Sequence, residues 1–297
     1  MEILNFGSLN IDHVYQVDTL VEEGSTIKAG TYERYCGGKG LNQSVAIAQA
    51  GATVCHAGAV GADGDLLITY LKAHNVDTSL VSTVCQATGH AMIQVDRHGK
   101  NGIVVFGGAN QTISEAQIDA VLSRFSAGDY ITLQNEISNV ALILKKAHEK
   151  GMVVFFNPSP LPSDIQEFPL NCVDYLFLNE TEGAALSGES SAEKIASALL
   201  RQNPHCSVIL TLGNKGVYFA NREETYSHGI YQVPVVDTTA AGDTFSGFFI
   251  ASISAGKTVS EALETASRAS SICISRPGAS SSIPSMEEVI ESKLEPV

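Results

Sequence analysis

From the first residues to about residue 212, short apolar segments alternate with segments of helical spacing, and this alternation restricts the fold more tightly than any other feature. EILNFGSL, TVCHAGAVG, DYITLQ, MVVFFNP, DYLFLN and CSVILTLG have the length and composition of buried strands. LNQSVAIAQAG, ISEAQIDAVLSRF, NVALILKKAHEKG and SAEKIASALLRQ carry apolar residues at helical spacing, and several close at a glycine or asparagine. Alternation of this kind predicts an α/β fold with a mostly parallel sheet covered by helices. No linker, low-complexity tract or long repeat interrupts it.

A second pattern lies within the first. Val14 to Val17, Thr31 to Cys36, His90 to Asp96 and Ile103 to Phe106 read as strands outside any β-α unit, and DRHGKNG reads as the turn between the last two. They form either a small separate sheet or an extension of the main one.

Composition narrows the function. The chain of 297 residues is long enough to bury a sizeable core, and 44% hydrophobic with 17% charged residues describes a soluble globular protein. No apolar run approaches a membrane span, and MEILNFGSLNID lacks the basic start of a signal peptide, so a cytoplasmic location is expected. A net charge of −14, from 18 basic and 32 acidic residues, disfavours nucleic-acid partners. The six cysteines contain no Cys-x-x-Cys pair and read as reduced thiols. Neither His-Glu-x-x-His nor Gly-x-Ser-x-Gly occurs, which removes metalloprotease and serine hydrolase readings.

The densest chemistry is in VDTTAAGDTFSGFFIA, Val236 to Ala251. VPVV before Asp237 reads as a short strand, while Phe245, Phe248, Phe249 and Ile250 predict a buried helix whose start lies at Ala240-Ala241-Gly242-Asp243. Free N–H groups and the positive end of the helix dipole make such a start an anion site, and Gly242 admits a ligand close to the backbone. Asp243 at its mouth is either functional or an ordinary N-terminal helix aspartate. Four weaker signals accompany it. GSLNID ends the first strand, where Asn10 and Asp12 point the same way in extended chain and suit vicinal hydroxyls, although turn chemistry gives the same pattern. In CGGKG, Gly38 and Lys39 precede a helix without Walker A or dinucleotide spacing. In NETE, Asn179 and Glu182 share a face at a helix start, as a capping box also would. TLGNKG, with Thr211, Gly213 and Gly216, ends a strand where a nucleotide or a plain hairpin turn would fit.

Taken together and in order, GSLNIDHV, GGKGLNQS, FNPSP, NETE, TLGNKG, DTTAAGDTFSGFF and RPGASSSIP resemble the ribokinase-like (PfkB) carbohydrate kinases over essentially the whole chain. The resemblance implies a three-layer α/β/α core with a small β-sheet lid, in one kinase domain over 1–297 with lid strands within about 11–36 and 90–107. It implies ATP-dependent phosphorylation of a sugar hydroxyl, with Mg2+, and a homodimer through the lid. By position, Asn10, Asp12, Gly38, Lys39, Asn42 and Glu136 would line the sugar site. Asn179, Thr211, Gly213, Gly216 and Gly242 would face ATP, and Glu182 would reach magnesium through water. Asp243 would be the catalytic base, with the N–H groups around Ala240, Ala241 and Gly242 stabilising the transferring phosphoryl group. Asp237 would ligate a monovalent cation, potassium, with Ser282 and the carbonyls of Thr239, Cys273, Arg276 and Gly278.

D-ribose is the expected acceptor, because a buried amide or carboxylate left without its hydroxyl partner costs about 1–3 kcal/mol. Deoxyribose, ketose and nucleoside kinases on the same scaffold are the alternatives. A non-catalytic sugar sensor should have lost Asp243, and a nicotinamide dehydrogenase should carry a glycine fingerprint where GSLNIDH stands.

Overall fold

Along the core strands, alternate side chains go to opposite faces, as strand geometry requires. Leu4, Phe6, Ile131, Leu133, Val154 and Phe156 enter one apolar layer, whereas Ile3, Phe155, Phe177 and Ile209 enter the other. Burial on both faces is why these segments read as continuous apolar runs.

The computed structural model describes residues 1–297. The chain runs β1 (Ile3–Phe6), β2 (Asn10–Val17), β3 (Thr31–Gly37), α1 (Lys39–Gln49), β4 (Val54–Val60), α2 (Asp65–Ala73), β5 (Asp77–Thr83), β6 (Gly89–Asp96) and β7 (Asn101–Phe106). It continues through α3 (Glu115–Leu122), β8 (Tyr130–Gln134), α4 (Val140–Glu149), β9 (Val153–Asn157), β10 (Tyr175–Asn179), α5 (Glu180–Ser187), α6 (Ala192–Gln202) and β11 (Ser207–Thr211). Last come β12 (Val217–Ala220), β13 (Thr225–His228), α7 (Ala241–Ser254), α8 (Val259–Ile274) and α9 (Met286–Glu291). Nine strands form the main sheet in the order β13-β12-β11-β10-β9-β8-β1-β4-β5, parallel except at β12 and β13. Helices α3 to α6 cover one face, and α1, α2, α7, α8 and α9 the other. No helix is long and apolar enough to cross a membrane.

The remaining strands form a separate sheet, ordered β3-β2-β6-β7, so the expected small sheet does not extend the main one. Its inner face, with Ala91, Ile93, Ile103 and Val105, overhangs a cleft at the edge of the core. Two local expectations change. Asn10 and Asp12 open β2 of this lid rather than closing the first core strand. Val233 to Val236 form no strand: Pro234 has no N–H to give a ladder, and the N–H groups of Val236 and Asp237 bond the Ile274 carbonyl at the end of α8.

Helix α7 lies in the middle of its layer, with Phe248, Phe249 and Ile250 fully buried. It comes close to α1 because Gly247 has no side chain; a Cβ there would overlap Ala46 and the backbone of Ile47. That approach sets the first turn of α7 beside Asn42 and Gln43 of α1.

Candidate active site

Two clefts open side by side, one of about 580 Å³ under the lid and one of about 900 Å³ between β10–β12 and α7–α8. Asn179, Thr211, Thr238, Ala241 and Gly242 line both, so the clefts meet at the start of α7. The chain turns into this helix through Ala240, held in the left-handed region at φ 60°, a conformation alanine rarely adopts and one that stores strain at the site. No side chain caps the helix. The Ala241 N–H reaches the Thr238 carbonyl at 3.3 Å, whereas the N–H groups of Gly242 and Asp243 have no acceptor. Unpartnered donors at the positive end of a buried helix form an anion site.

Asp243 is buried, 5% exposed, and lines the lid cleft. Its Oδ2 accepts a hydrogen bond from Asn42 Nδ2 at 3.0 Å, and its Oδ1 accepts one from Gln43 Nε2 at 3.2 Å. With its amide nitrogen so engaged, Asn42 is left with a buried Oδ1 that has no partner. Asn10 is oriented the opposite way. Its Oδ1 accepts from Asn110 Nδ2 at 2.8 Å, which leaves the amide nitrogen as the donor for the cleft. Glu136 Oε2 accepts from Ser8 Oγ at 2.5 Å and from the Lys39 N–H at 3.0 Å. The lid cleft therefore offers donors at Asn10 and Lys39 and acceptors at Asp12, Asn42, Glu136 and Asp243, a set matched to several hydroxyls.

Its electrostatics follow from burial. Asp12 is pushed up to about 7, first by burial and then by Glu136. Burial also raises Glu136, against the Ser8 and Lys39 hydrogen bonds. Lys39 is raised, chiefly by Asp243, with burial opposing and Glu136 and Glu182 assisting, so it keeps its charge. It forms no ion pair within 4.0 Å. The adjacent Cys36 thiol is pushed up to about 11 by burial and by Asp12, which makes it a poor nucleophile.

Asn179 and Glu182 do form the reciprocal capping box. Both also line the lid cleft, so the capping box does not remove them from it. Thr211, Gly213 and Gly216 line the larger cleft. Asp237 lies outside both clefts and ties two loops together: Oδ1 accepts from the Thr239 N–H and hydroxyl at 2.9 and 2.6 Å, and Oδ2 from the Gly278 N–H at 3.1 Å. Burial would raise its pKa, but these bonds outweigh it and hold the carboxyl below the usual range. Around it, Cys273 Sγ lies 3.8 Å from the Thr239 carbonyl and 3.0 Å from Ser282 Oγ. The Arg276 guanidinium pairs with Glu288 at 2.5 Å. A carboxylate with the Thr239 carbonyl and the Ser282 hydroxyl in its neighbourhood is oxygen-donor chemistry of the kind a hard cation takes.

Sequence reasoning missed Gln43, Ser8 and Asn110: Ser8 and Gln43 stand inside GSLNIDHV and GGKGLNQS without being singled out there, and Asn110 lies in no motif. Asn157, Ser159 and Ser246 also line the lid cleft; FNPSP holds the first two.

A hydroxyl-matched cleft and a larger cleft meeting at an anion-binding helix start describe a group-transfer enzyme with a phosphorylated donor. The chain belongs to the pfkB family of carbohydrate kinases, whose model matches residues 2–286. It is 35% identical to a ribokinase of Haemophilus influenzae over 295 residues, covering 96% of each chain. Among solved structures, a ribokinase from Thermotoga maritima superposes with a TM-score of 0.89 at 36% identity, covering 98% of both chains. An Arabidopsis thaliana ribokinase complexed with ribose and ATP gives 0.86 at 29%, over 98% of this chain and 97% of that one.

The raised Asp12 carboxyl has a consequence for stability. Unfolded, it titrates near 4; folded, near 7. Its cost to the folded state is absent below about pH 4, grows as pH rises through this window and is complete above it. Ligand-free Asp12→Asn is expected to melt on the order of 2–4 °C higher than the parent at pH 8 and equally near pH 4, by differential scanning calorimetry. A difference that does not depend on pH would contradict the assignment.

Proposed function

We propose that the chain transfers the γ-phosphoryl group of ATP to the 5-hydroxyl of D-ribose, giving ribose 5-phosphate and ADP. The observation that carries this reading is Asp243, a buried carboxylate placed where the two clefts meet and beside the free Gly242 and Asp243 N–H groups. The full-length ribokinase relatives support the donor and the acceptor.

The acceptor lies under the lid, its hydroxyls bonded by Asn10, Asp12, Asn42, Glu136 and Lys39, with its primary hydroxyl at Asp243. ATP lies along Thr211, Gly213 and Gly216, with its γ-phosphoryl at the start of α7. Asp243 accepts the hydroxyl proton as the oxygen attacks phosphorus, and the bond to the β,γ-bridging oxygen breaks toward ADP. A loose transition state needs little early proton removal, so positioning and charge stabilisation carry most of the barrier reduction. The N–H groups of Gly242 and Asp243 face the charge on the phosphoryl oxygens, and Lys39 adds a second positive charge. Magnesium, approached through water by Glu182, would neutralise the donor phosphates. Potassium, held by Asp237, Ser282 and the carbonyls of Thr239, Cys273, Arg276 and Gly278, would rigidify the loop before α7.

We also infer a homodimer through the lid. Tyr32, Met92, Val104 and Phe106 lie on its outer face, 49%, 50%, 69% and 53% exposed, and β3 and β7 leave two open sheet edges. A second copy of the lid would cover this apolar face.

Three measurements check these assignments. Asp243→Ala should lower kcat by roughly 10²–10⁴-fold while ATP and ribose still bind by calorimetry; near-normal turnover sinks the base. Asp237→Ala should lose the stimulation by potassium, and an unchanged response removes the cation site. In sedimentation velocity, Val104→Lys combined with Phe106→Glu should convert dimer to monomer; an unaltered coefficient places the interface elsewhere.

A further inference from the structure

On the sheet face beneath α1, three neighbouring strands carry fully buried polar side chains. There β4, β1 and β8 place His56, Asn5 and Thr132 side by side, since Asn5 pairs in register with both His56 and Thr132, and Gln134 follows on β8. All four are at most 1% exposed, as are Gln43 and Ser44 of α1 above them. Most of their polar atoms are paired, as an unpaired cost of about 1–3 kcal/mol demands, and only Gln134 Oε1 and His56 Nε2 have no partner.

We infer that Gln43 is a positioning residue for the Asp243 carboxylate, and that its amide is locked in one orientation by a buried chain of amides running back to a main-chain carbonyl. The Gly40 carbonyl can only accept, so it takes the Asn5 Nδ2 donor at 2.8 Å. Asn5 Oδ1 is thereby the acceptor for Gln134 Nε2 at 3.1 Å. The same Nε2 donates to Gln43 Oε1 at 2.6 Å, and Thr132 Oγ1 donates to that oxygen at 3.2 Å. Gln43 must then present its Nε2 to Asp243 Oδ1. Each link settles the polarity of the next, and no link can flip without leaving two acceptors face to face.

Gln43 differs from Asn42, the other amide on Asp243. Asn42 lines the lid cleft, where an arriving hydroxyl competes for its bonds, whereas Gln43 does not reach the cleft. Gln43 therefore holds Oδ1 whether or not sugar is present, leaving Oδ2 for the hydroxyl proton. The chain also explains a glycine pair. A Cβ at Gly7 would overlap Gln134 Oε1 and the Cα of Gly40, and one at Gly40 would overlap the backbone of Gly7 and Ser8. Side chains there would force apart β1, α1 and the amides between them.

This inference rests on Asp243 being the base. The test compares Gln43→Met, Thr132→Val, Ser44→Ala and Asp243→Ala by steady-state kinetics and thermal melting. Gln43→Met is expected to lower kcat by roughly 10–100-fold with KM for both substrates within about twofold, as expected for misplacement of a catalytic group. Thr132→Val, which frees one restraint on Gln43, should lower kcat a few-fold and keeps the test open if Gln43→Met does not fold. Ser44→Ala removes equally buried bonds to Asn5 and His56 at the far end of the chain; it should lower the melting temperature but leave kcat at the parent value. Parent-like kcat in Gln43→Met, or in Thr132→Val where Gln43→Met fails to fold, would overturn the positioning role. A fall in Ser44→Ala equal to that in Gln43→Met would overturn it as well, because stability alone would then set the rate. Active Asp243→Ala would instead overturn the base assignment, a failure of a different kind.

Discussion

The contact on which the rest depends is between two helices far apart in sequence: the amides of Asn42 and Gln43 on α1 hold the two oxygens of Asp243 in the first turn of α7. A carboxylate at this depth, next to free N–H groups, would be costly if left to itself, and both amides offset that cost with directed hydrogen bonds. The same contact decides geometry. The start of α7 carries free N–H groups, α1 follows directly from the lid strand β3, and packing one helix on the other brings the lid cleft and the larger cleft together. Gly247 permits that packing, so a missing side chain in the middle of α7 has its effect at the end of the helix.

Function and stability oppose each other in the lid cleft. Glu136 and Asp243 flank a single lysine, Asp12 faces Glu136, and burial raises Asp12 and Glu136. A partner-free Asn42 oxygen adds a further unpaired acceptor. Under the proposed function a polyhydroxylated ligand would satisfy such groups, so the cost borne by the ligand-free fold would be relieved by binding. Discrimination would follow from the same source, since an acceptor lacking a hydroxyl would leave one of these groups unpaired.

Much of this was legible in the sequence because it rests on periodicity and on short motifs. Buried strands such as MVVFFNP and CSVILTLG advertise themselves by apolar runs, and the lid strands by falling outside the β-α alternation. The Ala240–Asp243 segment shows as small residues before an apolar helix. What stayed hidden has physical reasons. The edge strand β5 and helix α2 mix polar and apolar residues because each buries only part of itself. Val233–Val236 looks like a strand, but Pro234 and the end of α8 decide otherwise. The site offered Asn10, Asp12, Lys39 and Asp243 in motifs, yet Gln43 stands unmarked inside GGKGLNQS, and Asn5, Thr132 and Gln134 show only as isolated polar residues in apolar segments. Which amide faces which carboxylate depends on contacts about 90 to 200 residues apart along the chain.

The central claim is that phosphoryl transfer occurs at Asp243, onto the hydroxyl that the lid cleft places there. It is tested most directly by running the reaction with ATP and D-ribose and examining the unpurified product by phosphorus NMR with proton coupling. The account predicts one sugar phosphate whose phosphorus couples to the two protons on C5, with ADP formed in equal amount. Phosphorus coupled to the anomeric proton, or inorganic phosphate released without a sugar ester, would contradict it.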